Sequence, residues 1–242
     1  MKTPPLLSVV IPVYRGERVL PSTIAAVLDH ARMRQWSIEI IVAASGTGDR
    51  THEVAHEAAR VHDNIVVLDT TSRFGKGGAV QAGMAAARGQ ACCFIDADNG
   101  VAFEQVDAAL AALDRYDVVI GSRYVAGGDP GSRTLGRRLV SRGGNLLMHL
   151  LLGLPYADTR APLKVFRHDV AKSLFAASRL RGFGFDSEIL YIARRRGLRV
   201  QELPVSWIPT DETTVNVRVE VIRSILELLQ IRWNAWRGRY DV

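Results

Sequence analysis

The sequence predicts an α/β protein built on a mostly parallel, twisted sheet flanked by helices. Three observations lead there. Short, apolar, β-branched runs alternate with helix-period segments, at a spacing that requires crossover connections. At 242 residues with no dividing linker, residues 1–242 are expected to form a single domain. A composition of 48% hydrophobic and 23% charged residues is that of a globular protein and excludes long intrinsic disorder.

Ser8 to Tyr14 (SVVIPVY) reads as the first strand, interrupted by Pro12. Pro21 to Met33 follows as a helix, with Ile24, Val27 and Leu28 on one stripe and a proline near its start. Ile38 to Val42 is a second buried strand, Asp49 to Val61 a second helix and Ile65 to Leu68 a third strand. Gly78 to Arg88 then reads as a helix and Ala91 to Ile95 as a fourth strand. Right-handed crossovers make such strands parallel. Ligands in these sheets sit at the carboxyl ends of the strands, where Tyr14, Ala43 and Asp96 fall. The second half is less regular. Glu104 to Leu113 looks helical, Asp117 to Ile120 extended, and Gly127 to Gly136 a loop rich in Gly, Pro and Ser. Helix patterns follow at Leu139 to Leu152, Asp169 to Ala177 and Glu188 to Arg196. An extended segment, Val200 to Trp207, and a long final helix, Val219 to Trp236, complete the chain, which shows no internal repeat.

Lys and Arg number 31 against 25 Asp and Glu, a formal charge of +6. That balance suits an anionic partner: nucleic acid, a phosphate ligand or a membrane surface. No aromatic residues interleave the basic ones, so no single-stranded nucleic-acid platform, and no nucleic-acid partner, is expected. The only cysteines, Cys92 and Cys93, are adjacent in an apolar run and read as buried thiols of a reducing compartment. A membrane span needs roughly 18 to 20 apolar residues; Leu146 to Leu154 is the nearest approach, at half that length. Met1 to Ser8 lacks the apolar core of a signal peptide. The expected location is the cytoplasm, with any lipid contact peripheral, at the inner membrane face.

Four segments are candidates for chemistry. His52-Glu53-Val54-Ala55-His56 matches the zinc motif H-E-x-x-H, and His62 stands where a third ligand would lie. Ala59 replaces the glycine that must turn the chain, however, and the segment lies on a crossover helix, so exposed helix histidines are expected. Phe74 to Gly78 (FGKGG) follows a strand and opens a helix, which fits either a plain turn or a phosphate-cradling loop. Asp96-Ala97-Asp98 places two carboxylates on the same side of a strand end. They repel unless a cation compensates, and a hard divalent ion carrying nucleotide phosphates suits them, as an alternative to a solvated turn. Arg123, Arg133, Arg137, Arg138 and Arg142 surround the Gly-rich loop and suit phosphate recognition or simple solvation.

The order of SVVIPVY, GKGGAVQAGMAAARG (75–89), FIDADN (94–99), VVIGSRY (118–124), DTRAPLKVFR (158–167), GFGFDSEIL (182–190) and IRWNAW (231–236) resembles family 2 glycosyltransferases of the GT-A fold. Within that family the chain is most similar to the dolichyl-phosphate or polyprenyl-phosphate sugar synthases. The resemblance implies an inverting transfer from a nucleotide diphosphate sugar, of the GDP-mannose or UDP-glucose type, to a lipid phosphate. It implies Asp96 and Asp98 as ligands of Mg²⁺ or Mn²⁺, and Pro12, Tyr14, Glu17, Lys76, Asp96 and Ala97 as the donor site. Arg123 and Arg138 would meet phosphates, Asp186 and Glu188 the sugar and acceptor, and Asp98, Arg123 and Asp186 would form the catalytic set. Ala43-Ala44 stands where the family carries an Asp pair, Arg15-Gly16 replaces Asn-Glu, Arg160-Ala161-Pro162 replaces Gln-x-Gly, and Thr213-Thr214-Val215 replaces Ser-Lys-Val. These departures fall mostly on the nucleotide pocket. They keep open a soluble acceptor, as in antibiotic or nucleoside biosynthesis, and a nucleotide-sugar-binding homologue without turnover. Along the last helix, Ile222, Ile225, Leu226, Leu229, Trp233 and Trp236 form one stripe, bordered by Arg218, Arg223, Arg232, Arg237 and Arg239. Such a stripe packs on a core or second subunit, or lies on anionic lipid.

Overall fold

In the first strand, β1 (Leu7–Val13), Leu7, Val9, Ile11 and Val13 are buried on one face of the sheet and Val10 on the other. A strand apolar on both faces requires helices on both sides, and that is the architecture found. The computed structural model describes residues 3–46, 48–70, 75–98, 100–129, 143, 148–161, 163–208 and 217–241. After β1 come α1 (Leu20–Arg34), β2 (Ile38–Ser45), α2 (Thr51–Val61), β3 (Ile65–Thr70), α3 (Gly75–Ala86) and β4 (Ala91–Phe94). The second half contains α4 (Val106–Ala112), β5 (Val118–Ser122), β6 (Lys164–Arg167), α5 (His168–Ala177), α6 (Phe185–Arg195), β7 (Val200–Pro204) and α7 (Val217–Trp236). The seven strands form one sheet in the order β3-β2-β1-β4-β6-β5-β7. Helices α1, α2 and α4 cover one face; α3, α5 and α6 cover the other.

All neighbours are parallel except β6, which runs antiparallel to both β4 and β5. The sequence reading contains no strand at residues 164–167, because Lys164 interrupts the apolar run and four residues show no period. β6 runs back along β5 and β4, from the side where the other strands have their carboxyl ends. Helix α3 begins at Gly75, three residues before the helix pattern starts, which makes FGKGG largely a first helical turn. Residues 130–142, including Arg133, Arg137, Arg138 and Arg142, lie outside the described residues. Cys92 and Cys93 are buried free thiols, and burial pushes the Cys92 thiol up to about 11.

Near the amino ends of β1 and β2, a polar knot ties these strands to Arg88, which follows α3. Glu39 of β2 accepts from the Ser8 hydroxyl at 2.6 Å, the Arg88 amide at 2.6 Å and the Arg88 guanidinium at 2.8 and 2.9 Å. Burial raises the Glu39 pKa, but the hydrogen bonds from Ser8 and Arg88 outweigh it and hold the group below its ordinary 4.5. A carboxylate depressed in the folded state contributes stability that is present above its unfolded pKa and lost as pH falls through the folded value. Glu39→Gln should therefore cost about 2 kcal/mol of unfolding free energy near neutral pH. In denaturant titrations the gap from wild type should close progressively below about pH 4; a gap independent of pH would show that the Glu39 charge carries none of it.

Candidate functional site

The carboxyl ends of β1, β4 and β5, with the first turns of α3 and α6, gather the charged residues of one site. β4 delivers Asp96 and Asp98, which flank Ala97; the Ala97 carbonyl accepts from the Thr23 hydroxyl of α1 at 2.7 Å. Asp98 Oδ1 accepts from the Gly100 amide at 3.0 Å, closing a turn. A methyl group at Gly100 would fall 2.7 Å from Trp207 Nε1, so only glycine lets the indole close over this turn.

Lys76 reaches Asp96 from the first turn of α3, Nζ to Oδ1 at 2.6 Å. Its position depends on the glycines beside it. A Cβ at Gly77 would lie 2.8 Å from both the Leu180 and Gly182 carbonyls, so α3 can sit this deep only with glycine there. The loop thus owes its glycines to packing, and the lysine alone reaches the acidic pair. Burial lowers the Lys76 pKa, but Asp96, Asp186 and Asp98 more than offset it and hold the ammonium above its ordinary 10.5.

Asp186, in the first turn of α6, is buried and bonded to Lys164 Nζ at 2.6 Å. Lys164 is fully buried, donates also to the Ala161 carbonyl at 2.8 Å, and lies 5.4 Å from the centre of the Phe94 ring. The antiparallel β6 puts it there, in register with Phe94 on one side and Ile120 on the other. Lysine and carboxylate thus alternate through the site. At the end of β5, Arg123 binds Asp158 through Nε at 2.7 Å and Nη2 at 2.9 Å, and its amide donates to the same carboxylate at 3.1 Å. Burial works against the Arg123 charge; Asp158 more than compensates and Asp96 adds to it, so the guanidinium is held above its ordinary value. The pair fixes the guanidinium plane, 6.0 Å from the Trp207 ring centre.

Other expected site residues stand elsewhere. Pro12 and Tyr14 close β1, in the same corner as Ala43 and Ala44, which are buried and pair with Pro12 and Val13. Glu17 turns to the start of α2, where it accepts from the Arg50 amide at 2.9 Å. Glu188 is fully buried and accepts from the Ser178 hydroxyl, the Arg179 and Leu180 amides and the Tyr240 hydroxyl. That set ties Tyr240 and the backbone at Arg179 and Leu180 to α6. Arg138 lies outside the described residues. The two histidines of H-E-x-x-H close on a carboxylate: His52 Nδ1 and His56 Nε2 each lie 2.5 Å from an oxygen of Asp69. Asp69 is in register with Ala44, one strand across from the missing acidic pair. Among the described residues, no group of three or more His, Cys, Asp or Glu side chains is gathered as a metal cage.

Sequence reasoning assigned no role to Lys164, Asp158 or Trp207. A lysine inside the apolar run Leu163 to Phe166 was the available signal, since a buried ammonium needs a carboxylate partner.

Residues 8–175 match the family description "Glycosyl transferase family 2". A dolichyl-phosphate beta-glucosyltransferase of Trichomonas vaginalis is 31% identical, with 96% of this chain and 76% of the relative covered. The enzyme of the same name from Drosophila melanogaster is 31% identical over 85% of this chain and 68% of its own, and that of Homo sapiens 28% over 83% and 67%. Among solved structures, glucosyl-3-phosphoglycerate synthase of Mycobacterium tuberculosis, in complex with Mn²⁺, UDP and glucosyl-3-phosphoglycerate, superposes with a TM-score of 0.68 at 19% identity. That match covers 94% of this chain and 80% of the other, and it shows the shared GT-A fold.

Lys164→Met should leave the Asp186 carboxylate buried beside an apolar chain and cost about 3 kcal/mol in denaturant unfolding. Lys164→Met/Asp186→Asn should recover part of that loss. Additive losses in the double variant would show that the two side chains do not act as a pair.

Proposed function

This chain belongs to glycosyl transferase family 2, and from that premise we propose that it transfers glucose from UDP-glucose to a polyprenyl phosphate of the dolichyl type, with Mg²⁺ or Mn²⁺ on the donor diphosphate. The names of its relatives support the sugar and the acceptor class. UDP in a solved structure of the same fold supports the nucleotide.

The observation that carries the reading is the alternation of Asp98, Asp96, Lys76, Asp186 and Lys164. Three carboxylates face two ammonium groups, and Arg123 pairs with Asp158. Asp96 and Asp98 present hard oxygen donors, too few for a complete coordination shell. Such a pair suits Mg²⁺ or Mn²⁺ that takes its remaining ligands from phosphates and water. When bound, the ion supplies positive charge to the departing diphosphate. Lys76 and Arg123 stand on the same side and stabilise charge that grows on the leaving group. Asp186 is held in place by Lys164, which fits it to orient a sugar hydroxyl. A lipid phosphate is already anionic near neutral pH and needs no general base. Nucleotide diphosphate glucose holds its sugar in α linkage, so a single in-line displacement yields a β product.

Asp98→Asn should reduce transfer by about 100-fold or more, as expected when a metal-holding carboxylate is lost. The variant should keep its unfolding midpoint, because one of two repelling carboxylates is neutralised. The assay is mass spectrometry of products from UDP-glucose or GDP-mannose with polyprenyl phosphate or 3-phosphoglycerate, with and without chelator. Glucosyl lipid formed only with UDP-glucose and free metal is the expected outcome. Turnover in chelator would sink the metal assignment; product only on 3-phosphoglycerate would move the acceptor to a soluble one.

A further inference from the structure

Helix α7 has two unlike faces. Leu228, Ile231 and Ala235 are buried in the core that α6 shares. On the other side Ile225, Leu226, Leu229, Trp233 and Trp236 are 39, 61, 51, 51 and 76% exposed. The two indoles lie together, ring centres 5.1 Å apart, and the Arg237 guanidinium sits 5.0 Å from the centre of the Trp233 ring. A groove of about 840 Å³ runs beside Leu229, Arg232, Trp233 and Trp236. Charge on this side has one sign. Arg223, Arg232, Arg237 and Arg239 are exposed, while the one acid between residues 223 and 239, Glu227, is buried and turned toward Gly182 and Gly184.

We propose that this face of α7 is the surface on which the protein lies against an anionic membrane. Tryptophans favour the depth of lipid headgroups, with leucine and isoleucine side chains entering the acyl boundary. Arginines around the patch reach back to anionic headgroups, each adding electrostatic attraction. A second copy of the chain fits less well. Arg223 is paired with Glu227 at 3.7 Å, but a two-fold interface would still press Arg232, Arg237 and Arg239, with no exposed acid between residues 223 and 239, against their own image. Among the described residues no helix is long and apolar enough to cross a membrane, so peripheral contact is the mode this surface allows them.

The surface also borders the site. A methyl at Gly182 would lie 3.2 Å from Arg223 Nη2, and the Gly182 carbonyl packs against Gly77, next to Lys76. The amino-terminal end of the exposed stripe therefore opens toward the residues that face the donor, where the phosphate of a membrane-held acceptor must arrive. In its use, though not in its binding test, this inference rests on the lipid-phosphate reading above.

Flotation of the full chain with two kinds of vesicle tests it: phosphatidylcholine alone, and phosphatidylcholine mixed with phosphatidylglycerol. At low salt, wild type should float with the mixed vesicles and not with phosphatidylcholine alone. Trp233→Ala/Trp236→Ala and Arg232→Glu/Arg237→Glu should each partition about tenfold more weakly, with far-ultraviolet circular dichroism unchanged. Wild type remaining at the bottom of the gradient, or variants floating like wild type, would overturn the proposal. So would sedimentation as a lipid-free dimer that the tryptophan pair dissolves on substitution. Vesicle binding without sugar transfer to lipid refutes the acceptor reading and leaves the surface standing. Transfer to detergent-dispersed polyprenyl phosphate without vesicle binding does the reverse.

Discussion

Negative charge gathered at the end of β4 is the constraint from which the rest of the site follows. Asp96 and Asp98 stand half-buried at the end of an apolar strand, Asp186 is buried nearby, and carboxylates gathered in this way repel one another unless cations stand among them. Lys76 comes from α3 on one side and Lys164 from β6 beneath. In the proposed function the metal and the donor diphosphate would enter together, because their opposite charges offset each other beside these groups.

The oddities of the fold serve that balance. The antiparallel β6 between β4 and β5 starts at Lys164, opposite Phe94 and Ile120, which sets that lysine at the floor of the site. Glycines at the start of α3 let the helix press against the Leu180–Gly182 backbone, which brings Lys76 within reach of Asp96. That same backbone meets Glu227 of α7, so the helix proposed to rest on lipid and the helix that presents Lys76 share one support. Arg123 is held by Asp158, whose amide in turn donates to Glu202 of β7 at 3.1 Å, so the far edge of the sheet is tied into the site as well.

Most of the sheet was legible because apolar runs and helix periods are local signals. β1 to β5, β7 and the described helices between them appear where the periodicity puts them, with ends shifted by a few residues, while most of the expected helix Leu139–Leu152 lies outside the described residues. β6 was not legible: four residues around a charged side chain carry no period, and only a long-range partner, Asp186, makes Lys164 at home in a core. The acidic pair, Lys76 and Arg123 were visible as residue types at strand ends. What local pattern could not reveal is which charges answer each other. Glu188 is an example: it shares a motif with Asp186, but two residues further on, about 200° around the helix, its carboxylate meets Ser178 and Tyr240. His52 and His56 show the converse, a metal motif whose histidines close on Asp69.

The charge balance is tested most directly by calorimetric titration of Lys76→Met beside wild type, first with Mn²⁺ alone and then with UDP in the presence of Mn²⁺. Removal of the ammonium takes a positive charge from beside Asp96, so Mn²⁺ alone should bind the variant about tenfold more tightly than wild type. UDP with Mn²⁺ should bind the variant more weakly, because the diphosphate loses a cation. Equal affinity of both proteins for Mn²⁺ alone, with UDP binding unchanged, would contradict a site built on the balance between these lysines and carboxylates.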